Sequence, residues 1–334
     1  MNHLAPFATD HKSLSAVLKA AADELRTGIL QVLAKDSYGV LELAKIFEAK
    51  QSGMSHHLKI LDQAGLVVKR REGNSIFYRR STVAAAAPYS ATIRALFEDI
   101  DKLHLQNNVV NQLSEVWQDR SSTSKQFFLE NAAKFQQQQE LIANFEVYRP
   151  YVDELLELVA PAKNKSVVEI GPGEGLYLNT LCTHFGEVWA LDNSSEMLKL
   201  ASATAGEHQL KNIQFIEGDT SVLGGYAENF DCAVANMVLH HTPSPAKIFS
   251  ETARSLKTGG SLIITELCQH DQVWATEACG DLWLGFTPED LSEWAKNAGL
   301  DEGQSSYFAL RNGFQIQVRQ FVKVSPLGKH APAV

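Results

Sequence analysis

The chain has 334 residues and a formal net charge of −9, with 45% hydrophobic and 21% charged residues. Twice the usual domain length of about 150 residues implies two compact units, and the composition excludes a disordered or fibrous protein. No apolar run reaches the ~18 residues that span a bilayer, and MNHLAPFATDHKS lacks the basic flank and apolar stretch of a secretory signal. The expected location is the cytoplasm, with no membrane partner. Cys182, Cys232, Cys268 and Cys279 show no CxxC spacing, which argues against a disulfide framework or a zinc knuckle and for packed thiols.

Charge divides the chain unevenly: residues 1–120 carry net +2 and the remainder −11. Residues 50–80 hold seven Lys and Arg against Asp62 and Glu72. Such asymmetry fits either a polyanion contact on an acidic protein or a solvated charged face.

In chain order, residues 13–34 show helical spacing in two pieces, Leu14, Val17 and Leu18, then Leu25, Ile29, Leu30 and Leu33. Gly39 opens a third helix with Leu41, Leu43, Ala44 and Phe47. After Gln51-Ser52-Gly53 a fourth places Met54, Leu58 and Leu61 on one face and Ser55, His56 and Lys59 elsewhere. Gly65 ends it, and LVVKRREGNSIFYRR reads as two basic strands about a Glu72-Gly73-Asn74 turn. Helix, turn, helix and hairpin make a winged helix-turn-helix.

Residues 41–80 resemble the ArsR/SmtB family of bacterial winged-helix repressors through an S-x-H-L-x-x-L-x-x-A-G-L-V core at Ser55, His57, Leu58, Leu61, Ala64, Gly65, Leu66 and Val67. The resemblance implies a recognition helix in the DNA major groove and a wing on phosphate or minor groove. Gln51, Ser52, Ser55, His56 and Lys59 are the groove candidates; Arg70, Arg71 and Asn74 are the wing candidates. His57 is expected to pack. The family's CxC-type metal site is absent from LELAKIF, and Asp101 with His104 is a single pair without a second, so no metal is expected.

AAAAP at 84–88 closes this unit. Ile93, Leu96, Phe97, Ile100, Leu103, Val110, Leu113 and Trp117 then form an apolar stripe interrupted at Asn107, readable as a dimer seam or as internal packing. A homodimer is expected, because paired half-sites give such domains affinity. Polar QDRSSTS at 118–124 reads as a linker, and Gln136–Gln139 lies within a helical pattern from Phe127 to Phe145. The expected domains are 1–88, the winged helix; 89–124, a dimerisation helix and linker; and 125–325, an α/β domain.

From residue 166 strands alternate with helices: SVVEIG, VWALDN, IQFIEGD, FDCAVANM and GGSLIITEL. This pattern implies an open parallel sheet with ligands at its strand carboxyl ends. The first loop carries Glu169, Gly171, Gly173 and Gly175, with Leu176 where a dinucleotide fingerprint needs glycine, and no GK[ST] follows. Asp192 ends the second strand, where a carboxylate can accept both ribose hydroxyls, and Asp219 with Thr220 ends the third, where an acceptor can take an adenine amino group.

These spaced elements resemble the class I S-adenosylmethionine-dependent methyltransferases, a Rossmann-like fold, over residues 125–300. The resemblance implies that the glycines admit the methionine moiety of S-adenosylmethionine or S-adenosylhomocysteine. Glu169 then supports its ammonium group, Asp192 holds the ribose, Met197 packs on adenine and Asn236 flanks the methionine moiety, with Asn193 a further cofactor-binding candidate. Catalytic residues are unassigned. His240 and His241 are weak candidates for deprotonating an acceptor, and a lid role fits them equally. Cys268, His270 and Cys279 lack the cluster expected of an arsenic methyltransferase. Fusions of this kind resemble S-adenosylhomocysteine-responsive regulators of methionine-cycle genes. The expected function is an operator-DNA-binding regulator with S-adenosylmethionine or S-adenosylhomocysteine as effector; the alternative is an active small-molecule methyltransferase.

Overall fold

The computed structural model describes residues 10–73, 75–83, 86–131 and 135–325. The chain divides into two compact units, the boundary falling between Asp119 and Arg120.

The first unit begins with α1 (His11–Ala21) and α2 (Glu24–Val32), each started by an aspartate: Asp10 accepts from the Ser13 N–H and Asp23 from the Arg26 N–H. Next come β1 (Tyr38–Gly39), α3 (Val40–Ile46), α4 (Gln51–Gln63), β2 (Val67–Glu72) and β3 (Ser75–Arg80), then α5 (Ser90–Asp101) and the first half of α6 (Asn107–Asn131). The strands order as β1-β3-β2, all antiparallel. Met54, Leu58 and Leu61 are fully buried against Ile29, Leu30, Leu43 and Ile46. Ile93, Phe97, Ile100, Val109, Leu113 and Val116 join the same core, so much of the stripe is internal packing.

Three local expectations differ. Gln51-Ser52-Gly53 is the first turn of α4, where unpaired N–H groups tolerate polar residues and glycine. Tyr38–Gly39 forms a third strand too short to show alternation. The expected linker 118–124 is helical, lying inside α6; it contains neither Gly nor Pro, and Ser, Thr and Asp cost a helix only tenths of a kcal/mol each. The 84–88 closure lies partly outside the described residues.

The second unit contains α7 (Phe135–Ile142), α8 (Phe145–Leu158), β4 (Ser166–Ile170), α9 (Leu178–His184), β5 (Glu187–Asp192), α10 (Ser195–Glu207), β6 (Ile213–Glu217) and β7 (Phe230–Asn236). It continues through α11 (Pro245–Ser255), β8 (Leu256–Leu267), α12 (Trp274–Cys279), α13 (Pro288–Asn297), β9 (Leu300–Ala309) and β10 (Gln315–Lys323). The sheet order is β6-β5-β4-β7-β8-β10-β9, with β6 to β8 parallel and β10 antiparallel to both neighbours. Strand order reverses between β4 and β7, which opens a crevice at their carboxyl ends. The four cysteines are free and buried. Among the described residues no helix is long and apolar enough to cross a membrane.

Leu58→Ala removes a fully buried side chain from the first core. It is expected to destabilise that unit by about 2–5 kcal/mol, seen by calorimetry as a lowered first transition while the cofactor-unit transition holds.

Candidate nucleic-acid face and cofactor pocket

Helix α4 presents Gln51, Ser52, Ser55, His56 and Lys59 to solvent while its apolar residues face inward. His57 does not share their exposure: its Nδ1 lies 3.5 Å from Arg26 Nη1 and 3.8 Å from Asp23 Oδ1, a packing position. On the wing the arginines part. Arg71 is exposed and its Nε donates to the Gly73 carbonyl at 2.9 Å. Arg70 corrects the expectation of a free phosphate contact, being half-buried and ion-paired with buried Glu72. Asn74 lies outside the described residues.

The crevice of the second unit holds a cavity of about 240 Å³. Glu169 at the end of β4, Gly171 and Gly173 of the following loop and Asn236 at the end of β7 line it. Gly171 and Gly173 have φ of +64° and +56°, and a Cβ on Gly171 would meet Val238 Cγ2 at 2.7 Å. Gly175 serves packing instead: a Cβ there would lie 3.1 Å from the Ala201 backbone. Glu169 is 2% exposed, and among the described residues its Oε2 has no hydrogen-bond partner, nor has Asn236 Nδ2. Burial pushes the Glu169 carboxyl up to about 8, with Asn236 opposing. A cationic ammonium is the group this buried carboxylate lacks, so the site fits the amino-acid end of the sulfonium cofactor.

The other expected cofactor residues lie off this cavity. Asp192 ends β5, its Oδ1 accepting the Ser194 N–H at 2.8 Å; burial pushes its carboxyl up to about 6 against the pull of the Ser194 and Asn193 N–H groups. Asn193 is half-buried beside it, and Met197 is 2% exposed in the first turn of α10. Asp219 caps the 3-10 turn Thr220–Gly225 through the Ser221 N–H and faces Lys247 at 3.6 Å. Buried Thr220 donates to Glu251 at 2.5 Å. Phe145, Tyr148 and Tyr177, which the sequence reading did not single out, add an aromatic wall to the cavity. Their signal was the three-residue spacing of Phe145 and Tyr148 on α8, which also serves ordinary core packing.

His240 and His241 form a one-turn 3-10 helix after β7 and are buried, with neither ring opening into the cavity. His240 Nδ1 lies 2.6 Å from Glu266 Oε1. Burial opposes its charge, yet Glu266 and Asp281 outweigh it and push the ring up to about 9. Burial and the charge of His240 press His241 well below the ordinary imidazole range. His241 is placed as a neutral ring whose Nε2 contacts Gln139 Nε2 at 3.1 Å, and Gln139 lines the cavity. Trp283 and Phe286 are buried, whereas Trp274 is 39% exposed.

An unfolded glutamate titrates near 4.5 and Glu169 near 8, so between these values the folded chain holds the extra proton and loses stability as pH rises. Glu169→Gln removes that penalty. Its melting temperature is expected to gain on the parent between pH 5 and pH 8, while saturating S-adenosylhomocysteine raises the parent's melting temperature and not the variant's.

Comparison with known proteins places names on both units. Residues 23–69 match the model of the bacterial regulatory protein, arsR family, and residues 168–264 match that of a methyltransferase domain. A ubiquinone biosynthesis O-methyltransferase of Coxiella burnetii (strain RSA 331 / Henzerling II) is 26% identical over 182 residues, covering 50% of this chain and 76% of that protein. One from Paracidovorax citrulli is 26% identical over 140 residues, 41% of this chain and 59% of its own length. Among solved structures, a methyltransferase-like protein of Bacillus halodurans C-125 aligns with a TM-score of 0.46 at 16% identity, over 52% of this chain and 99% of its own. The chain thus carries an arsR-family helix-turn-helix and a methyltransferase domain, whose cofactor is S-adenosylmethionine or its product S-adenosylhomocysteine.

Proposed function

We propose that the chain is a DNA-binding regulator whose methyltransferase domain binds S-adenosylmethionine or S-adenosylhomocysteine as effector. The observation that carries this reading is the outward face of α4: Gln51, Ser52, Ser55, His56 and Lys59 are all exposed, although their helix is anchored by three fully buried apolar residues. That face combines one lysine with amide, hydroxyl and imidazole groups, the side chains that can meet phosphate and base edges from a helix in the major groove. Lys59 and Arg71 supply phosphate contacts, and His56, Ser52 and Gln51 supply groove contacts. Operator DNA is the partner, and a homodimer presenting two such helices matches two half-sites. In this reading the protein acts in the cytoplasm.

In the second unit, Glu169 holds the cofactor ammonium, Gly171 and Gly173 let backbone approach, and Asp192 takes the ribose hydroxyls. Met197 and Asp219 serve the adenine, with Asn193, Thr220 and Gly175 shaping the loops around them and Asn236 closing the cavity floor. Bound S-adenosylmethionine supplies an activated methyl group. Coupling to DNA runs along α6, the covalent path between the units, as a shift between two conformational populations.

The second reading, a small-molecule methyltransferase carrying an arsR-family domain, is favoured by the similarity to ubiquinone biosynthesis O-methyltransferases. Alignment of donor and acceptor then supplies most of the rate. His240 and His241 remain candidates to move a proton, His241 being the nearer to the cavity through Gln139.

Lys59→Ala with Arg71→Ala is expected to weaken binding to all sequences and to lower the salt slope by about two, while His56→Ala relaxes sequence preference. Asp192→Ala is expected to weaken S-adenosylhomocysteine at least tenfold by calorimetry, a loss on the order of 1.5–3 kcal/mol. The deciding measurement is a fluorescence titration of operator DNA with saturating S-adenosylmethionine, saturating S-adenosylhomocysteine, and neither. A tenfold separation of the curves corresponds to about 1.4 kcal/mol of coupling. Three superimposed curves would leave the enzyme reading.

A further inference from the structure

No metal was expected in the second unit, where Cys268, His270 and Cys279 are not clustered in the sequence. The structure brings together residues that are 40 positions apart. Asp281 is 1% exposed, and neither carboxylate oxygen has a hydrogen-bond partner among the described residues. His240 is wholly buried, and its Nε2 is likewise without one. These orphaned atoms face each other: Asp281 Oδ1 lies 4.0 Å from His240 Nε2 and 3.8 Å from His241 Nδ1. Leaving a carboxylate buried and unpartnered is among the costlier arrangements in a protein interior. The loop that delivers it is nonetheless fixed, with the Leu282 and Trp283 N–H groups donating to the His240 carbonyl at 2.8 and 3.2 Å.

From this we infer that His240, His241 and Asp281 form a binding site for a divalent transition-metal cation of the zinc type. Two imidazole nitrogens and one carboxylate oxygen suit a borderline cation, whereas magnesium and calcium require more oxygen ligands. Glu266 supplies the supporting contact: it accepts the His240 Nδ1 proton at 2.6 Å, so that a cation displacing the Nε2 proton meets a lone pair facing Asp281, the carboxylate–histidine–metal arrangement. Donor atoms on a zinc ion with bonds of about 2 Å sit roughly 3.3 Å apart; the three ligand atoms lie within 4.8 Å of one another, so they close by roughly 0.5 to 1.5 Å, a rotation of the side chains. The fourth position belongs to water or a ligand.

His241 connects this centre to the cavity. In ligating through Nδ1 it gives up its contact with the Gly280 carbonyl at 3.3 Å and carries its proton on Nε2. Gln139 then turns its amide to accept that proton with its oxygen, a half-turn exchanging atoms of nearly equal scattering and size. Metal occupancy therefore fixes one residue of the pocket wall. The site stands equally whether the domain senses its cofactor or transfers a methyl group.

The test is a titration of the chelator-treated full chain with Zn²⁺ in competition with a chromophoric chelator. One tight equivalent per chain is expected. Asp281→Asn and His241→Gln should each weaken it at least tenfold, Glu266→Gln by about 10- to 100-fold, and exposed His208→Gln not at all. Co²⁺ in place of Zn²⁺ should give visible absorption bands that the Asp281→Asn chain lacks, and circular dichroism of each variant confirms that it is folded. Absence of a tight equivalent in the parent would overturn the proposal, leaving a metal-free network of buried charges. A tight equivalent kept by both folded ligand variants would overturn it too, by placing the metal elsewhere.

Discussion

The second unit depends on one unfavourable placement, a carboxyl group held in the interior with an oxygen that none of the described residues satisfies. Glu169 is the fourth residue of β4, a strand buried along its whole length and flanked by β5 and β7. Parallel pairing fixes its register, and the left-handed turn at Gly171 carries the chain away before any side chain can cover it. A fold evolved only for stability would place an apolar residue there. The strand hydrogen bonds and the apolar core on either side hold the group in place although burial favours its protonated form, and a cation is the partner that would stabilise its charge.

The first unit handles charge in the opposite manner. Its basic residues are divided between those satisfied within the fold and those left outward. Arg70 is paired with Glu72, and Arg80 is bidentate on Asp101 at 2.6 and 2.8 Å while its guanidinium lies 4.5 Å from the Phe97 ring centre. The first pair lies within β2, and the second ties β3 to α5. Lys59 and Arg71 remain at the surface, so the seven basic residues of 50–80 are two populations with different work.

The helices of the first unit, its hairpin and the five parallel strands were legible because each repeats a period long enough to count, 3.6 residues or an apolar run closed by glycine. Local pattern failed where neighbours decide. Strand β10 reads QIQVRQFVK, which lacks clean alternation because both of its faces are covered; Gln317 and Arg319 are accommodated by donating to the Phe286 and Pro288 carbonyls. The helical state of 118–124 was hidden for a related reason, since its buried face is made by the polar residues Arg120 and Ser124, which leave no apolar period to read. Within the cofactor site, glycines and carboxylates at strand ends announced themselves by spacing. Phe145 and Tyr148 did not, because aromatic residues three apart on a helix look the same whether they face a core or a cavity. Asp281 is the extreme case: a lone aspartate between a glycine and a leucine acquires its meaning only from the histidines that the sheet brings to it.

Strand β9 forms one edge of the seven-stranded sheet, and its sequence begins Leu-Asp-Glu-Gly, with most of its residues exposed. The register slips where Arg319 and Phe321 of β10 face it, and Gly303 lies where a Cβ would strike the Gln320 amide. Acidic side chains and an irregular ladder make this edge a poor template for another strand. Edge-to-edge zipping into open-ended fibres is thereby disfavoured at this strand, whatever chain approaches it. The exposed apolar side chains of the first unit lie on helices instead, Leu103 and Val110 being 58% and 45% exposed, and a helical surface offers no unpaired backbone ladder along which an assembly could grow.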